Sequence, residues 1–139
     1  MRYIWLIILL PVFLLSACDR TDPLYFDANG QPHGSGEKTY NYKAGGVMLR
    51  ETYVDGKCEF SQWFAPDGRL VHSTDWVNES GEGIYLRQDG SIRCRMTYVN
   101  GHAHGTATYY DESGGISKVV EFQNGVELSA SATAPEAQP

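Results

Sequence analysis

The side chains best equipped for chemistry are four histidines, three cysteines and a scatter of serines and carboxylates in a chain of 139 residues. His102 and His104 stand two apart, so on a strand their imidazoles share a face and could meet a metal ion. A structural zinc site needs four ligands and a catalytic one at least three. The next histidine back, apart from His72, is the distant His33, and His104 reads more simply as a polar residue before Gly105, so no metal site is expected. His72 falls in mid-strand on the greasier face, where a hydrogen-bonded, half-buried histidine is expected rather than a catalytic base. Ser61, Ser73, Ser80, Ser91, Ser113 and Ser117 lie in no nucleophile-elbow sequence and have no recognisable His/Asp partner set. Asp111-Glu112 and Glu79/Glu82 sit near turn signals and read as solvated loop charges, not a general acid–base pair. Gly34-Ser35-Gly36 and Gly81-Glu82-Gly83 precede strands, so no helix N-terminus follows to cradle a phosphate. No catalytic residue and no cofactor is expected. The candidate interaction surface is aromatic instead: Tyr40, Trp63, Phe64, Tyr85, Tyr109 and Tyr110. Across neighbouring strands these residues form core or cross-strand pairs, and an exposed ladder of them would bind a peptide or a glycan.

What must position them is a repeat. An aromatic residue is followed five positions later by Gly and eight positions after that by a second aromatic, four times over. The copies are Tyr40-Gly45-Tyr53, Trp63-Gly68-Trp76, Tyr85-Gly90-Tyr98 and Tyr109-Gly114-Phe122. A fixed period of this length marks stacked copies of one small supersecondary unit. Asx-Gly pairs punctuate it at Asn29, Asp55, Asp67, Asp89, Asn100 and Asn124, and such pairs supply the positive φ angles of tight hairpin turns. The stretches between are rich in Tyr, Trp, Phe, Val, Ile and Thr and alternate with period two. Val47, Leu49, Glu51 and Tyr53 share one face, as do Leu70, His72, Thr74 and Trp76, then Ile92, Cys94, Met96 and Tyr98, then Ile116, Lys118, Val120 and Phe122. The expected fold is all-β: an antiparallel meander of repeated hairpins in one extended, twisted sheet of about eight strands, after an N-terminal signal-peptide helix. Its apolar face must be covered by curling, by self-association or by a partner.

The N-terminus is of a different kind. Arg2 precedes an apolar run, Tyr3 to Leu15, broken by Pro11 and too short for a membrane span. It ends in Leu15-Ser16-Ala17-Cys18, which resembles the lipobox of bacterial lipoprotein precursors. The resemblance implies cleavage between Ala17 and Cys18 and acylation of Cys18, and several acyl chains anchor a protein firmly. Asp19 then resembles an inner-membrane retention signal, which favours the inner membrane over the outer. The expected division is a lipoprotein signal peptide at 1–17, a tether at 18–24, the repeat domain at 25–128 and a disordered tail at 129–139, whose small polar residues and prolines cannot offset ordering entropy.

The whole chain carries a net charge of −6, and without Arg2 ten basic residues face 17 acidic ones. With no basic cluster, nucleic acid and anionic lipid headgroups are unsuitable ligands. An oxidising compartment permits disulfides. In a simple meander, though, Cys58 and Cys94 stand three strands apart, about 14 Å at ~4.8 Å per strand, against the roughly 4.4–6.8 Å that a disulfide requires. Buried free thiols are expected.

The units resemble MORN-variant repeats, the second MORN type, found also in bacterial proteins of the YwqK-like antitoxin kind. The copy Tyr98-Val99-Asn100-Gly101-His102-Ala103-His104-Gly105, with Tyr109-Tyr110 and Gly114-Gly115-Ile116, carries the resemblance best. Tyr53-Val54-Asp55-Gly56-Lys57 with Trp63-Phe64 and Gly68-Arg69-Leu70 follows it, and Asn29-Gly30-Gln31-Pro32-His33-Gly34 echoes it. Phe60 replaces the family's Gly, and Glu79 stands where the other units have Gly. The resemblance implies an interaction or scaffolding module. Joined to the lipobox, it implies a lipid-anchored, non-enzymatic protein that binds a protein partner at the periplasmic face of the cell envelope. The alternatives are a glycan- or peptidoglycan-binding lipoprotein, an antitoxin- or immunity-like binding protein and, furthest, a small hydrolase.

Overall fold

The computed structural model describes residues 23–132. The expected signal helix, the Ala17/Cys18 cleavage and lipidation site, residues 18–22 of the expected tether and residues 133–139 of the expected tail lie outside the described residues. The described residues are all-β, as their alternation and turn signals predict. Eleven strands run in order: β1 (Tyr25–Phe26), β2 (Pro32–His33), β3 (Gly36–Asn41), β4 (Val47–Val54), β5 (Lys57–Phe64), β6 (Leu70–Asp75), β7 (Gly81–Leu86), β8 (Ile92–Val99), β9 (His102–Tyr110), β10 (Ile116–Gln123) and β11 (Val126–Ala132).

Two kinds of corner alternate along the meander. At Asp55-Gly56, Asn100-Gly101 and Asn124-Gly125 both residues take positive φ, between 49° and 81°. This is the two-residue turn whose twist matches paired strands, and the Asx-Gly sequence is its preferred chemistry. The other corners are longer. Tyr42, Ala65, Arg87 and Asp111 each accept a hydrogen bond from the glycine amide three residues on and donate one to a carbonyl four residues on. A register shift sits beside each of these corners.

The expected single sheet is broken. The antiparallel ladders form one sheet in the order β3-β4-β5-β6, a second in the order β7-β8-β9-β10-β11, and a two-stranded β1-β2 flap. The break falls between β6 and β7, where a single bridge, Val77 to Ser80, replaces a ladder. Side chains explain it. The Trp76 amide donates to the Glu59 carbonyl and its indole to Ser61, which holds the chain under β5. Thr74 then donates its hydroxyl to the Glu82 carbonyl, a group a strand ladder would otherwise use. A methyl group at Gly81 would lie 2.7 Å from the Thr74 Cγ2, closer than side chains approach, so this packing requires glycine.

The strand boundaries also differ at both ends from those expected. Leu24 already donates its amide to the Ser35 carbonyl, so the tether ends earlier. β11 continues to Ala132, beyond the expected boundary at 128, because β10 offers backbone partners from Lys118 to Gln123, with one register shift between Glu121 and Phe122. Such a template orders a small polar segment whatever its side chains.

Cys94, Ala107 and Val120 form the core of the second sheet, with Met96, Tyr109 and Phe122 packed over it. Both described cysteines are free thiols. Cys94 is buried as expected, while Cys58 is half-exposed.

Candidate functional site

The sheets repeat one another. In the first, the row Tyr40–Leu49–Trp63–His72 crosses the strands, and beside it runs Lys38–Glu51–Ser61–Thr74. In the second, the matching rows are Tyr85–Cys94–Tyr109–Lys118 and Gly83–Met96–Ala107–Val120. Period-two alternation puts both rows of a sheet on its inner face. The second sheet fills that face with core. The first leaves a cleft of about 320 Å³ between its inner face and β7.

The cleft is walled by Trp63, Trp76, Tyr85, Tyr98, Leu49 and Ile84, with Glu51 as its charged group. Trp76 is fixed by its 2.8 Å indole bond to the fully buried Ser61 hydroxyl. Its ring meets Tyr98 edge-on, centroids 5.9 Å apart. The Tyr98 hydroxyl shares a 2.6 Å hydrogen bond with that of Tyr85, and its ring lies so close to Gly83 that a methyl group there would be 3.1 Å away. Burial and the Tyr85 hydrogen bond push the Tyr98 hydroxyl well above the ordinary tyrosine range.

Glu51 has an unusual setting. Tyr53 donates its hydroxyl to Glu51 Oε2 at 2.8 Å, and with burial this holds the Tyr53 hydroxyl protonated far above its ordinary range. Lys38 is the residue opposite Glu51 in the ladder, but its ammonium lies 3.8 Å from the Phe26 ring centre and 4.9 Å from that of Tyr40. Among the described residues no Lys, Arg or His nitrogen comes within 4.0 Å of the Glu51 carboxylate. A second hollow, of about 520 Å³, continues the cleft past Glu51, Trp76 and Tyr98 to Tyr53, Cys58 and Glu79. Burial raises the Cys58 thiol above its ordinary range, so it is a poor nucleophile there.

Beside Thr74, Glu82 forms an ion pair with Arg95 at 3.1 Å and lies 3.8 Å from the His72 ring. The Thr74 hydroxyl gives its proton to the Glu82 carbonyl, so His72 Nε2, 3.1 Å from it, is the donor in that pair. His72 is thus the hydrogen-bonded, half-buried residue the sequence predicts.

The six aromatic residues of the expected surface do not make one ladder. Trp63 and Tyr85 line the cleft. Trp63 is only 6% exposed, too enclosed for an outer surface, and tilts against His72. Tyr40 stays on the rim of the first sheet, exposed. Phe64 and Tyr110 serve structure, since their carbonyls accept from Tyr42 and Arg87, and Phe64 lies under the Arg50 guanidinium. Tyr109 packs on the core of the second sheet. Sequence reasoning missed Trp76 and Tyr98 as site residues, although both mark the repeat. The signal for Glu51 was a carboxylate sharing one strand face with Val47, Leu49 and Tyr53. His102 is exposed and His104 half-buried, and among the described residues no three His, Cys, Asp or Glu side chains gather as a metal set.

Compared with known proteins, the chain matches no protein-family model and no curated protein. Among solved structures, a chain of the GtfA/B complex bound to UDP and GlcNAc is similar at 14% identity and a TM-score of 0.23. The match covers 71% of this chain and 24% of that one, so this chain aligns to about a quarter of that protein's length. A likeness of that strength carries no argument about fold or activity.

Proposed function

We propose that the chain is a lipid-anchored, non-enzymatic binding module at the periplasmic face of a bacterial membrane, built from MORN-like hairpin repeats, and that it takes a partner protein in the cleft between its sheets. The observation that carries this reading is the cleft itself: Trp63 of the first sheet, Trp76 at the seam, and Tyr85 and Tyr98 of the second sheet wall a concave space of about 320 Å³. Apolar concave surfaces with a few oriented polar groups are the usual form of a binding site, and aromatic residues dominate the energetics of protein interfaces. The charged group of the cleft is already held in place, with Tyr53 donating to Glu51, which suits recognition better than turnover.

The anchor and the binding role are tested separately. Cys18→Ser should release the protein from membranes and leave an unprocessed precursor. Normal processing with retention on the membrane would defeat the lipoprotein reading. Cross-linking of the acylated protein in membranes should recover a protein partner, lost when Trp76→Ala removes one wall. Recovery that ignores Trp76→Ala would move the interface elsewhere. The aromatic wall also supports a peptidoglycan-binding reading. Cosedimentation with purified cell wall, abolished by Trp63→Ala, would replace a protein partner with a glycan one.

A further inference from the structure

We propose that the Glu51 cleft is a recognition site for a lysine side chain, carried on an extended segment of the partner polypeptide. This deepens the binding reading above and rests on it.

Three observations point to a cation. Glu51 is the charged side chain of the first cleft, and Tyr53 fixes the position of its carboxylate through Oε2. Half-buried beside apolar walls, the carboxylate has given up part of its hydration, and an arriving positive charge would meet it at little further cost. The cation that the ladder places opposite, Lys38, is committed to the faces of Phe26 and Tyr40 instead. The walls are the right kind for the rest of the ligand: Trp and Tyr rings attract an ammonium group, and Trp does so best. Leu49 and Trp63 offer apolar surface to an aliphatic stem. A compact ammonium on a flexible four-carbon stem is the lysine side chain.

The shape argues for an extended segment rather than a free amine. The first cleft and the second share Glu51, Trp76 and Tyr98, and a third hollow of about 480 Å³ continues from Trp76 to Glu59 and Asn100. Together they form a furrow along the seam where β6 and β7 fail to pair. The charged residues lining it are Glu51, Glu59, Glu79 and the single cation Lys57, a balance that complements a basic strand.

The test titrates the mature acylated chain, from Cys18 onward, in detergent micelles with a blocked tripeptide carrying a central lysine, followed by the indole N–H resonances of Trp63 and Trp76. Both resonances should shift. The same peptide with norleucine or acetyl-lysine in place of lysine should bind at least about tenfold more weakly, and so should the lysine peptide to Glu51→Gln. The neutral peptides change the ligand and not the protein, so the result stands even if Glu51→Gln folds poorly. Equal binding of lysine and norleucine peptides, or full affinity in Glu51→Gln, overturns the proposal. So does N-acetylglucosamine moving the same indoles at lower concentration than the lysine peptide. The two readings fail differently: a captured partner indifferent to Glu51→Gln leaves the binding module standing without the lysine site, whereas lysine-peptide binding with no partner recovered from membranes does the reverse.

Discussion

The two sheets share one backbone plan and use it for opposite ends. Lys38, Glu51, Ser61 and Thr74 cross the first sheet where Gly83, Met96, Ala107 and Val120 cross the second. At the last two positions of each row burial is alike: Ser61 and Ala107 are fully enclosed, and Thr74 and Val120 nearly so. The chemistry is not. In the second sheet these positions need only apolar neighbours, and Met96, Tyr109 and Phe122 provide them. In the first, every enclosed hydroxyl must find a partner, and the partners are Trp76 and the β7 backbone. Meeting that demand draws Trp76 and β7 against the first sheet, breaks the ladder between β6 and β7, and leaves the cleft beside Glu51. A buried polar row thus produces both the seam and the site.

The largest effect that could break this comparison is in the second sheet. Val120→Ala removes two methyl groups from a site 1% exposed and should cost about 2–3 kcal/mol in urea unfolding. Its counterpart Thr74→Ala loses less apolar burial, and chiefly the bond to Glu82, for about 1–2 kcal/mol. Equal costs would mean that the first sheet is held by packing like the second. Next comes Ser61→Ala, which gives the first sheet the residue its twin already has at position 107. If the plan were interchangeable the change would be harmless. It should instead cost about 1–2 kcal/mol, because the Trp76 indole N–H loses its acceptor. Its signature is local: the Trp76 indole resonance moves and the Cys94 thiol stays protected.

Alkaline pH tests a feature that the halves share. Tyr53 and Tyr98 both have hydroxyls pushed far above the ordinary tyrosine range, Tyr53 by burial and Glu51, Tyr98 by burial and Tyr85. A group whose folded pKa is raised binds more protons folded than unfolded once the unfolded tyrosine, at about 10, begins to ionise. The stability it lends is therefore complete below pH ~10 and lost as pH rises beyond. Tyr53→Phe should flatten the loss of stability above pH ~10, as read by unfolding midpoints against pH. An unchanged slope would show that Tyr53 does not remain protonated against Glu51.

How much of this was legible in the sequence depends on whether local chemistry decides the feature. The corners were legible because Asx-Gly turns are chosen by the backbone angles of two residues, and Asp55-Gly56, Asn100-Gly101 and Asn124-Gly125 adopt them. The faces were legible because strand alternation is strict, so Glu51, Tyr53, Thr74 and Trp76 stood on the right side before any contact was known. The seam was not. It rests on Trp76 reaching Ser61 and Thr74 reaching Glu82, contacts between strands that no periodicity announces. For the same reason Tyr40, Trp63, Tyr85 and Tyr109 looked alike in spacing, yet one lies on the rim, two line the cleft and one packs on the core. The strand at 129–132 escaped because Ser-Ala-Ser-Ala has no apolar signal of its own and is ordered by the edge it joins.

The smallest effect concerns the corner at the seam. Asn78-Glu79 carries φ of 50° and 57°. Its counterpart in the first half, Gly34, has φ of 75°. The two corners do the same work: the Gly34 carbonyl accepts from the Gly56 amide, and the Glu79 carbonyl from the Gly101 amide. A left-handed conformation costs a residue with a Cβ about 1–2 kcal/mol, and glycine escapes that at some entropic cost. Glu79→Gly should therefore stabilise the protein by roughly 0.5–1 kcal/mol, visible as a raised urea midpoint with an unchanged slope. Glycine is the residue that the other units already carry there, so a strained glutamate at this corner of the furrow must be held by its surroundings. Loss of stability in Glu79→Gly would show that the glutamate side chain, which approaches Gly101 across the corner, returns more than the strain it imposes.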